Sequence, residues 1–144
     1  MKYKNILIFI VALLGLISCK KEINVPKEDY KKLFGKWEWV YSTGGLAGGV
    51  ITPETENYNL EIEYKKNGIY KEFKDGKRIE KFTFHFEKAE SIFSSGEDYL
   101  IFYSKGKFSK KGVMYHSFNF IGNDTLLLNE ECYDCYGNLY VRKK

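Results

Sequence analysis

Two cysteines near the end of the chain have a spacing that could support chemistry. Cys132 and Cys135 are separated by two residues, an arrangement found in disulfides, redox-active dithiols and metal sites. A redox pair of this kind normally begins a helix between two strands, and this pattern is absent around Cys132. Structural zinc needs about four ligands, and no neighbouring histidine in the sequence completes such a set. In an exported protein, a disulfide across the last hairpin is therefore the favoured interpretation, and no metal is expected.

The two histidines differ in their sequence neighbours. His85 shares the face of an alternating segment with Lys81, which predicts exposure to solvent. His116 shares its face with Met114 and Phe118, which places it on an inward-facing surface. A hydrogen-bonded core histidine is the favoured interpretation, and a polar group that orients a ligand is the alternative.

Acidic residues cluster near the last hairpin at Glu130, Glu131 and Asp134. Calcium binds such oxygens, but this spacing fits no calcium loop, so the cluster is interpreted as solvated surface charge. The sequence also contains no nucleophile elbow, zinc-protease helix or nucleotide-binding turn. We therefore expect no catalytic residues, no enzymatic activity and no cofactor.

The beginning of the chain has the three zones of an export signal. Lys2 and Lys4 make a basic start, and an apolar run of twelve residues extends from Ile6 to Ile17. A helix needs about 20 apolar residues to cross a bilayer, so this run is too short for a stable span. Its length and flanks instead predict a cleaved signal peptide over residues 1–18.

The end of this signal, Leu16-Ile17-Ser18-Cys19, resembles the bacterial lipobox. The resemblance implies that Cys19 receives lipid after cleavage and that two or three acyl chains hold the protein on a membrane. Cys19-Lys20-Lys21-Glu22 partly resembles the surface-export signal of lipoproteins of the Bacteroidetes. We therefore expect a lipid-anchored protein of the outer membrane, with its periplasmic or surface face left open.

Composition limits the function of the remaining 126 residues, Cys19 to Lys144. The chain has 23 basic and 19 acidic residues, and removing Lys2 and Lys4 leaves 21 against 19. This near-balance argues against nucleic acid as a partner, because nucleic acid requires a basic surface. The 12 tyrosines, 11 phenylalanines and 2 tryptophans favour strands.

Hydrophobic periodicity predicts one short helix over Pro26 to Phe34, followed by eight strands with period-two alternation. The turns contain Asn-Gly and Asp-Gly pairs, which favour antiparallel hairpins. The expected fold is an all-β, eight-stranded antiparallel up-and-down barrel, and a β-sandwich is the alternative. The predicted strands are Lys36–Tyr41, Leu60–Tyr64, Ile69–Phe73, Arg78–Phe86, Tyr99–Ser104, Gly112–Phe120, Thr125–Asn129 and Leu139–Arg142.

Leu33-Phe34-Gly35-Lys36-Trp37 resembles the Gly-x-Trp opening of lipocalins and their bacterial relatives. The segments 124–128 and 136–143 resemble the last two strands of small lipocalin-like lipoproteins of the Bacteroidetes. The resemblance implies a lipocalin-like barrel over residues 26–144, joined to Cys19 by a tether over residues 19–25. It also implies that Arg142 lies over the ring of Trp37, with Gly35 as part of the same motif.

The expected function is the non-catalytic binding of a small apolar or amphipathic ligand inside the barrel. Ser42 to Gly49 is a glycine-rich segment, interpreted either as a lid over the barrel mouth or as a flexible surface loop. The alternative function is protein recognition by a barrel filled with its own side chains. The expected ligand-lining residues are those predicted to face inward: Trp39, Tyr41, Leu60, Ile62, Phe84, Phe102, Met114, His116 and Phe118.

Overall fold

The computed structural model describes residues 22–104 and 114–144. The predicted signal peptide, the lipobox and Cys19 lie outside the described residues, as do residues 112–113 at the start of the sixth predicted strand. Within the described part, no helix has the length and apolar character needed to cross a membrane.

The described chain forms nine strands and two short helices. A 3-10 helix at Glu28–Leu33 precedes the first strand, and helix α1 at Pro53–Glu56 follows the second. The strands are β1 Gly35–Gly44, β2 Gly49–Ile51, β3 Leu60–Tyr64, β4 Ile69–Lys74, β5 Lys77–Glu90, β6 Glu97–Ser104, β7 Met114–Ile121, β8 Thr125–Glu130 and β9 Tyr136–Arg142.

Eight of these strands form a closed antiparallel barrel. From β3 to β9 each strand pairs with the next in sequence, and β1 pairs with both β3 and β9. The β1–β9 pairing, which runs from Trp37–Arg142 to Gly44–Tyr136, closes the ring. This closure confirms the predicted up-and-down barrel and removes the exposed edges that an open sheet would have.

The segment between β1 and β3 differs from the sequence prediction. Residues 42–49 were expected to form one glycine-rich loop, but Ser42–Gly44 extends β1 and Gly49–Ile51 pairs back on it as β2. Gly44 has φ +135°, and an added Cβ would lie 2.2 Å from the carbonyl oxygen of Cys135, so only glycine fits this close approach. Helix α1 then begins with a reciprocal cap between Thr52 and Thr55.

The barrel core is rich in aromatic residues. Tyr30 of the 3-10 helix packs against Phe86, Tyr99 and Phe118, so the helix contributes to the core. The buried cluster contains Leu33, Trp37, Trp39, Ile62, Tyr64, Tyr70, Phe84, Ile101, Tyr103, Phe118, Leu126, Leu128 and Tyr140.

One end of the barrel, here called the helix end, is closed by the 3-10 helix. The indole N–H of Trp37 donates to the carbonyl oxygen of Leu33 at 2.9 Å, and the guanidinium carbon of Arg142 lies 4.2 Å from the Trp37 ring centroid. Arg142 also donates to the carbonyl oxygens of Lys32 and Phe34 at 2.7 and 3.3 Å. The expected contact between Arg142 and Trp37 is therefore present, and it fastens the helix to the last strand.

Candidate ligand site at the cleft end

The opposite end of the barrel, here called the cleft end, contains the turns that follow β1, β4 and β8. A cleft of about 440 Å³ opens there between β1 and β3, beside the β4–β5 turn. This volume lies within the range of about 300–1,000 Å³ that is typical of small-molecule sites. The residues that line the cleft are Glu38, Trp39, Asn59, Leu60, Glu61, Asp75 and Gly76.

The cleft exists because β1 and β3 separate before either strand ends. Their pairing stops at Glu38 and Glu61, so Trp39 and Leu60 have no partners in each other's strand. The end of β1 instead pairs with β2, and helix α1 occupies the path back to β3. The gap in the barrel wall therefore follows from the β2–α1 insertion.

Trp39 is the aromatic side chain that borders this gap. Trp39 is buried, and its indole N–H donates to the Ser42 hydroxyl at 2.8 Å, which in turn donates to Asn138. The Tyr58 ring stacks on Trp39 with 6.1 Å between centroids, and the Lys74 ammonium lies 3.6 Å from the Tyr58 ring centroid. Trp39, Tyr58 and Lys74 therefore form one stack, in which Trp39 is the member that borders the cleft.

The charged groups of the cleft are engaged with one another. The Lys143 ammonium bonds to Glu61 and lies 3.3 Å from a carboxylate oxygen of Glu38. A carboxylate oxygen of Asp75 accepts the backbone N–H of Asn59 at 2.9 Å. These contacts fix the positions of the three carboxylates at the rim of the cleft.

Six of the nine expected lining residues lie on the core side of the barrel. Leu60 is partly buried and borders the cleft together with Trp39, and both pack on the core cluster. The other four are buried within the barrel: Ile62, Phe84, His116 and Phe118.

The prediction was wrong for Tyr41, Phe102 and Met114, because none of these three side chains is buried in the barrel. The register of β1 against β9 shifts between Trp39 and Tyr41, so the buried position moves from Tyr41 to Ser42. Phe102 lies between the buried residues Ile101 and Tyr103, and it therefore faces outward.

The outward ring of Phe102 stacks on His85 and on Tyr115, with centroid distances of 5.8 and 5.1 Å. The exposure predicted for His85 is confirmed by a side chain that is 56% accessible. Met114 is the first described residue of β7 and is 43% exposed, so it is not part of the packed interior.

A cluster of four buried tyrosines in the interior was not identified from the sequence. The hydroxyls of Tyr64 and Tyr103 bond to each other, and the Tyr70 hydroxyl donates to a carboxylate oxygen of Glu72 at 3.4 Å. Burial raises the pKa of Tyr64, Tyr70, Tyr103 and Tyr140 above the usual value, and the nearby charge of Glu72 adds to each shift. All four hydroxyls therefore remain protonated near neutral pH.

His116 belongs to the same interior layer. Its ring packs edge-on against Tyr103 at 5.1 Å, and its Nδ1 is a buried atom without a hydrogen-bond partner in the described structure. Burial lowers the pKa of His116 to about 4, so the imidazole is neutral at physiological pH. The prediction that His116 lies in the core is thus confirmed. The hydrogen bond expected for it is not seen at Nδ1 within the described residues.

The β8–β9 turn, at the cleft end of the barrel, contains a disulfide. Cys132 and Cys135 form the predicted disulfide, and the backbone N–H of Gly45 approaches the Cys135 carbonyl oxygen at 3.4 Å. The Glu130 carboxylate lies within 4.8 Å of both sulfur atoms, but bonded sulfurs are not thiolate ligands. Glu131, expected to be solvated, instead accepts hydrogen bonds from the Ser91 hydroxyl and the Ile92 backbone N–H, both at 2.8 Å.

Comparison of the chain with protein-family models, with curated proteins and with solved structures finds no match.

Proposed function

We propose that the domain binds a small amphipathic molecule at the cleft end and catalyses no reaction. The observation that carries this proposal is the cleft of about 440 Å³ between β1 and β3, which Trp39 and Leu60 border. An apolar body of the ligand would contact these two side chains, while a polar group would meet the carboxylate and amide oxygens of the rim.

The packing of the barrel axis supports a site in the wall rather than a central channel. Rings of Tyr64, Tyr70, Tyr103 and Phe84 contact one another, with centroid distances from 5.0 to 6.4 Å. Such distances are those of aromatic pairs in direct contact. A ligand therefore enters through the gap between β1 and β3, with the packed rings behind it.

The setting of this activity is also a proposal. We infer that lipid on Cys19 anchors the domain to the outer membrane after removal of residues 1–18, as the lipobox resemblance implies. The contacts at the rim favour binding without catalysis. The carboxylates of Glu38 and Glu61 are paired with Lys143, and that of Asp75 accepts a backbone N–H, so all three serve as structural contacts.

Titration with the neutral apolar fluorophore N-phenyl-1-naphthylamine tests the ligand proposal. The native domain should give a saturable rise in fluorescence, and Asn59→Trp should weaken binding by about tenfold because the new ring fills the cleft. Asn59 is exposed and meets Asp75 through backbone atoms, so the substitution keeps those bonds. Asn123→Trp, in a turn at the helix end, is the matched control and should bind like the native domain. Absence of saturable binding, or equal binding by Asn59→Trp, would refute the proposal.

A second candidate function is recognition of a protein partner at the cleft end. Leu46 in the β1–β2 turn is 90% exposed, and Tyr133 in the β8–β9 turn is 91% exposed. The two turns adjoin through the Gly45 N–H and the Cys135 carbonyl oxygen, and exposed apolar side chains on one face are typical of protein contacts. Fluorophore binding separates the two candidates, because a recognition surface at Leu46 and Tyr133 does not require the cleft to accept a small molecule.

A further inference from the structure

The rim of the cleft brings hydrogen-bond donors and acceptors together. Glu38, Glu61 and Asp75 supply carboxylate oxygens, which only accept hydrogen bonds when ionised. The Lys143 ammonium, which only donates, bonds to Glu61 and lies 3.3 Å from an oxygen of Glu38. The hydrogen bond with Glu61 raises the pKa of Lys143, so the ammonium stays charged at neutral pH. A ligand at this rim therefore meets groups of both kinds.

Asn59 adds a donor and an acceptor in a single side chain. It is exposed and lines the cleft. Within residues 22–104 and 114–144 its hydrogen bonds are made by backbone atoms, because its N–H donates to the Asp75 carboxylate and its carbonyl oxygen accepts the Asp75 N–H, both at 2.9 Å. These two bonds fix the backbone of Asn59 against the β4–β5 turn. Its side-chain amide can therefore bond to a ligand without breaking a contact seen in the described structure.

The charges already present at the rim disfavour an ionic group on the ligand. A ligand carboxylate would lie near three carboxylates of the same sign. A ligand ammonium would meet Lys143, which already occupies the position between Glu38 and Glu61. Because the approach of like charges costs free energy, a neutral polar group fits this rim better than either ion.

We propose that the polar group of the ligand is neutral and polyhydroxylated, as in the ring of a sugar. This inference rests on the proposed function and narrows its ligand to an amphiphile with a hydroxylated head group. A hydroxyl group both donates and accepts, so one hydroxyl can donate to a carboxylate and accept from Lys143 or from the Asn59 amide. The apolar body of the same ligand contacts Trp39 and Leu60.

The polar groups of the rim can be reached from solvent. The Glu38 side chain is 48% accessible and that of Lys143 is 34% accessible. Asp75 is also exposed, whereas Trp39 is buried and lies deeper in the cleft. This order, with polar groups outside and an apolar wall behind them, matches an amphiphile whose hydroxylated end remains at the mouth of the cleft.

Displacement of N-phenyl-1-naphthylamine by four probes with the same octyl chain, each used below its micelle-forming concentration, tests this preference. Octyl β-D-glucoside should compete about tenfold more tightly than octanol, because its ring hydroxyls bond to the rim. Octylammonium should compete no more tightly than octanol, and octanoate should compete least.

Asn59→Leu tests whether the rim causes the preference. The substitution keeps the size of the side chain and removes the amide, so the preference for the glucoside over octanol should fall about threefold, with octanol competition not weakened. Asn123→Leu is the matched control, because Asn123 is exposed in a turn at the helix end and bonds to Arg142 through its backbone carbonyl. This control should keep the native preference.

The possible failures can be told apart. Equal competition by octyl glucoside and octanol in the native domain, or tightest competition by octylammonium, would overturn the inference, whether or not Asn59→Leu folds. An undiminished glucoside preference in folded Asn59→Leu would overturn it as well. In each of these cases the proposed function would stand, because the fluorophore would still bind. A native domain that does not bind the fluorophore would instead refute the proposed function, and the inference with it.

Discussion

At the scale of single residues, the barrel interior is organised by pairing buried polar atoms. The Trp39 indole, the Ser42 hydroxyl and the Asn138 side chain form one chain of hydrogen bonds, and Tyr64 and Tyr103 form another pair. A buried polar group costs free energy when it is unpaired, so such networks define which side chains belong together. His116 Nδ1 is a buried atom without a hydrogen-bond partner in the described structure. Protonation of His116 should therefore affect the stability of the barrel interior.

Stability should fall in acid because of His116. Burial lowers the folded-state pKa to about 4, whereas the unfolded residue titrates near its ordinary value of 6.5. Its contribution is therefore complete above about pH 6.5 and is lost as the pH falls towards the folded value, by about 2 kcal/mol between pH 7 and pH 5. Urea denaturation of the native domain and of His116→Phe at both pH values measures this difference.

The comparison with His116→Phe isolates one group among several that titrate. Glu72 acts in the opposite direction, because burial raises its pKa and its ionisation costs stability as the pH rises. This contribution is present in both proteins and cancels in the difference between them. An unchanged pH dependence in His116→Phe would contradict the assignment to His116.

The sequence predicted the inward direction of His116 but not that of Glu72. His116, Phe118 and Phe120 are two residues apart from one another in sequence order, so these three large side chains share one face of β7. In β4, Tyr70 and Phe73 lie on opposite faces and charged residues occupy both, so alternation assigns no face to Glu72. A charge beside buried tyrosines becomes apparent only when strand pairing is known.

At the scale of elements, the first strand shows why the barrel was predictable and its cleft was not. Alternating Trp37 and Trp39 correctly indicated a half-buried strand, and turn residues correctly indicated hairpins. The register shift after Trp39 reverses the faces of the residues that follow, and Val40 at this position gives no glycine signal for it. β2 has three residues and α1 has four, both too short for periodicity to detect. The cleft depends on these unpredicted features.

The 3-10 helix should depend on Arg142 for its attachment. Arg142→Met keeps an unbranched side chain but removes the hydrogen bonds to Lys32 and Phe34 and the charge over Trp37. We expect a loss of about 2 kcal/mol in the free energy of unfolding, since hydrogen bonds from charged groups and a cation–π contact are lost together. Arg78→Met, an exposed arginine in β5, is the control and should change stability little. Equal denaturation midpoints for the two variants would show that Arg142 does not fasten the helix.

At the scale of the whole molecule, the chain enters the barrel at the helix end. The Ile23 backbone N–H donates to the Lys66 carbonyl oxygen at 2.9 Å, and the Ile23 side chain packs on the core. If Cys19 carries lipid, as we propose, the four residues from Cys19 to Ile23 reach at most ~14 Å. The helix end would then lie near the membrane, and the cleft end would face away from it, open to ligands in the surrounding compartment.

Replacing Cys19 by Ala tests whether this residue is the site of lipid attachment, on which the proposed orientation depends. If the lipobox resemblance is correct, Cys19→Ala should abolish incorporation of labelled fatty acid, and the domain should become soluble or keep its signal peptide. The control is the double variant Cys132→Ser/Cys135→Ser, which removes the other two cysteines and should be labelled like the native protein. Loss of the disulfide should lower stability by only ~2 kcal/mol because the loop that it closes is short, so the control should still fold. Labelling of Cys19→Ala at the native level would show that the lipid is attached to another residue, and the orientation with the helix end towards the membrane would lose its basis.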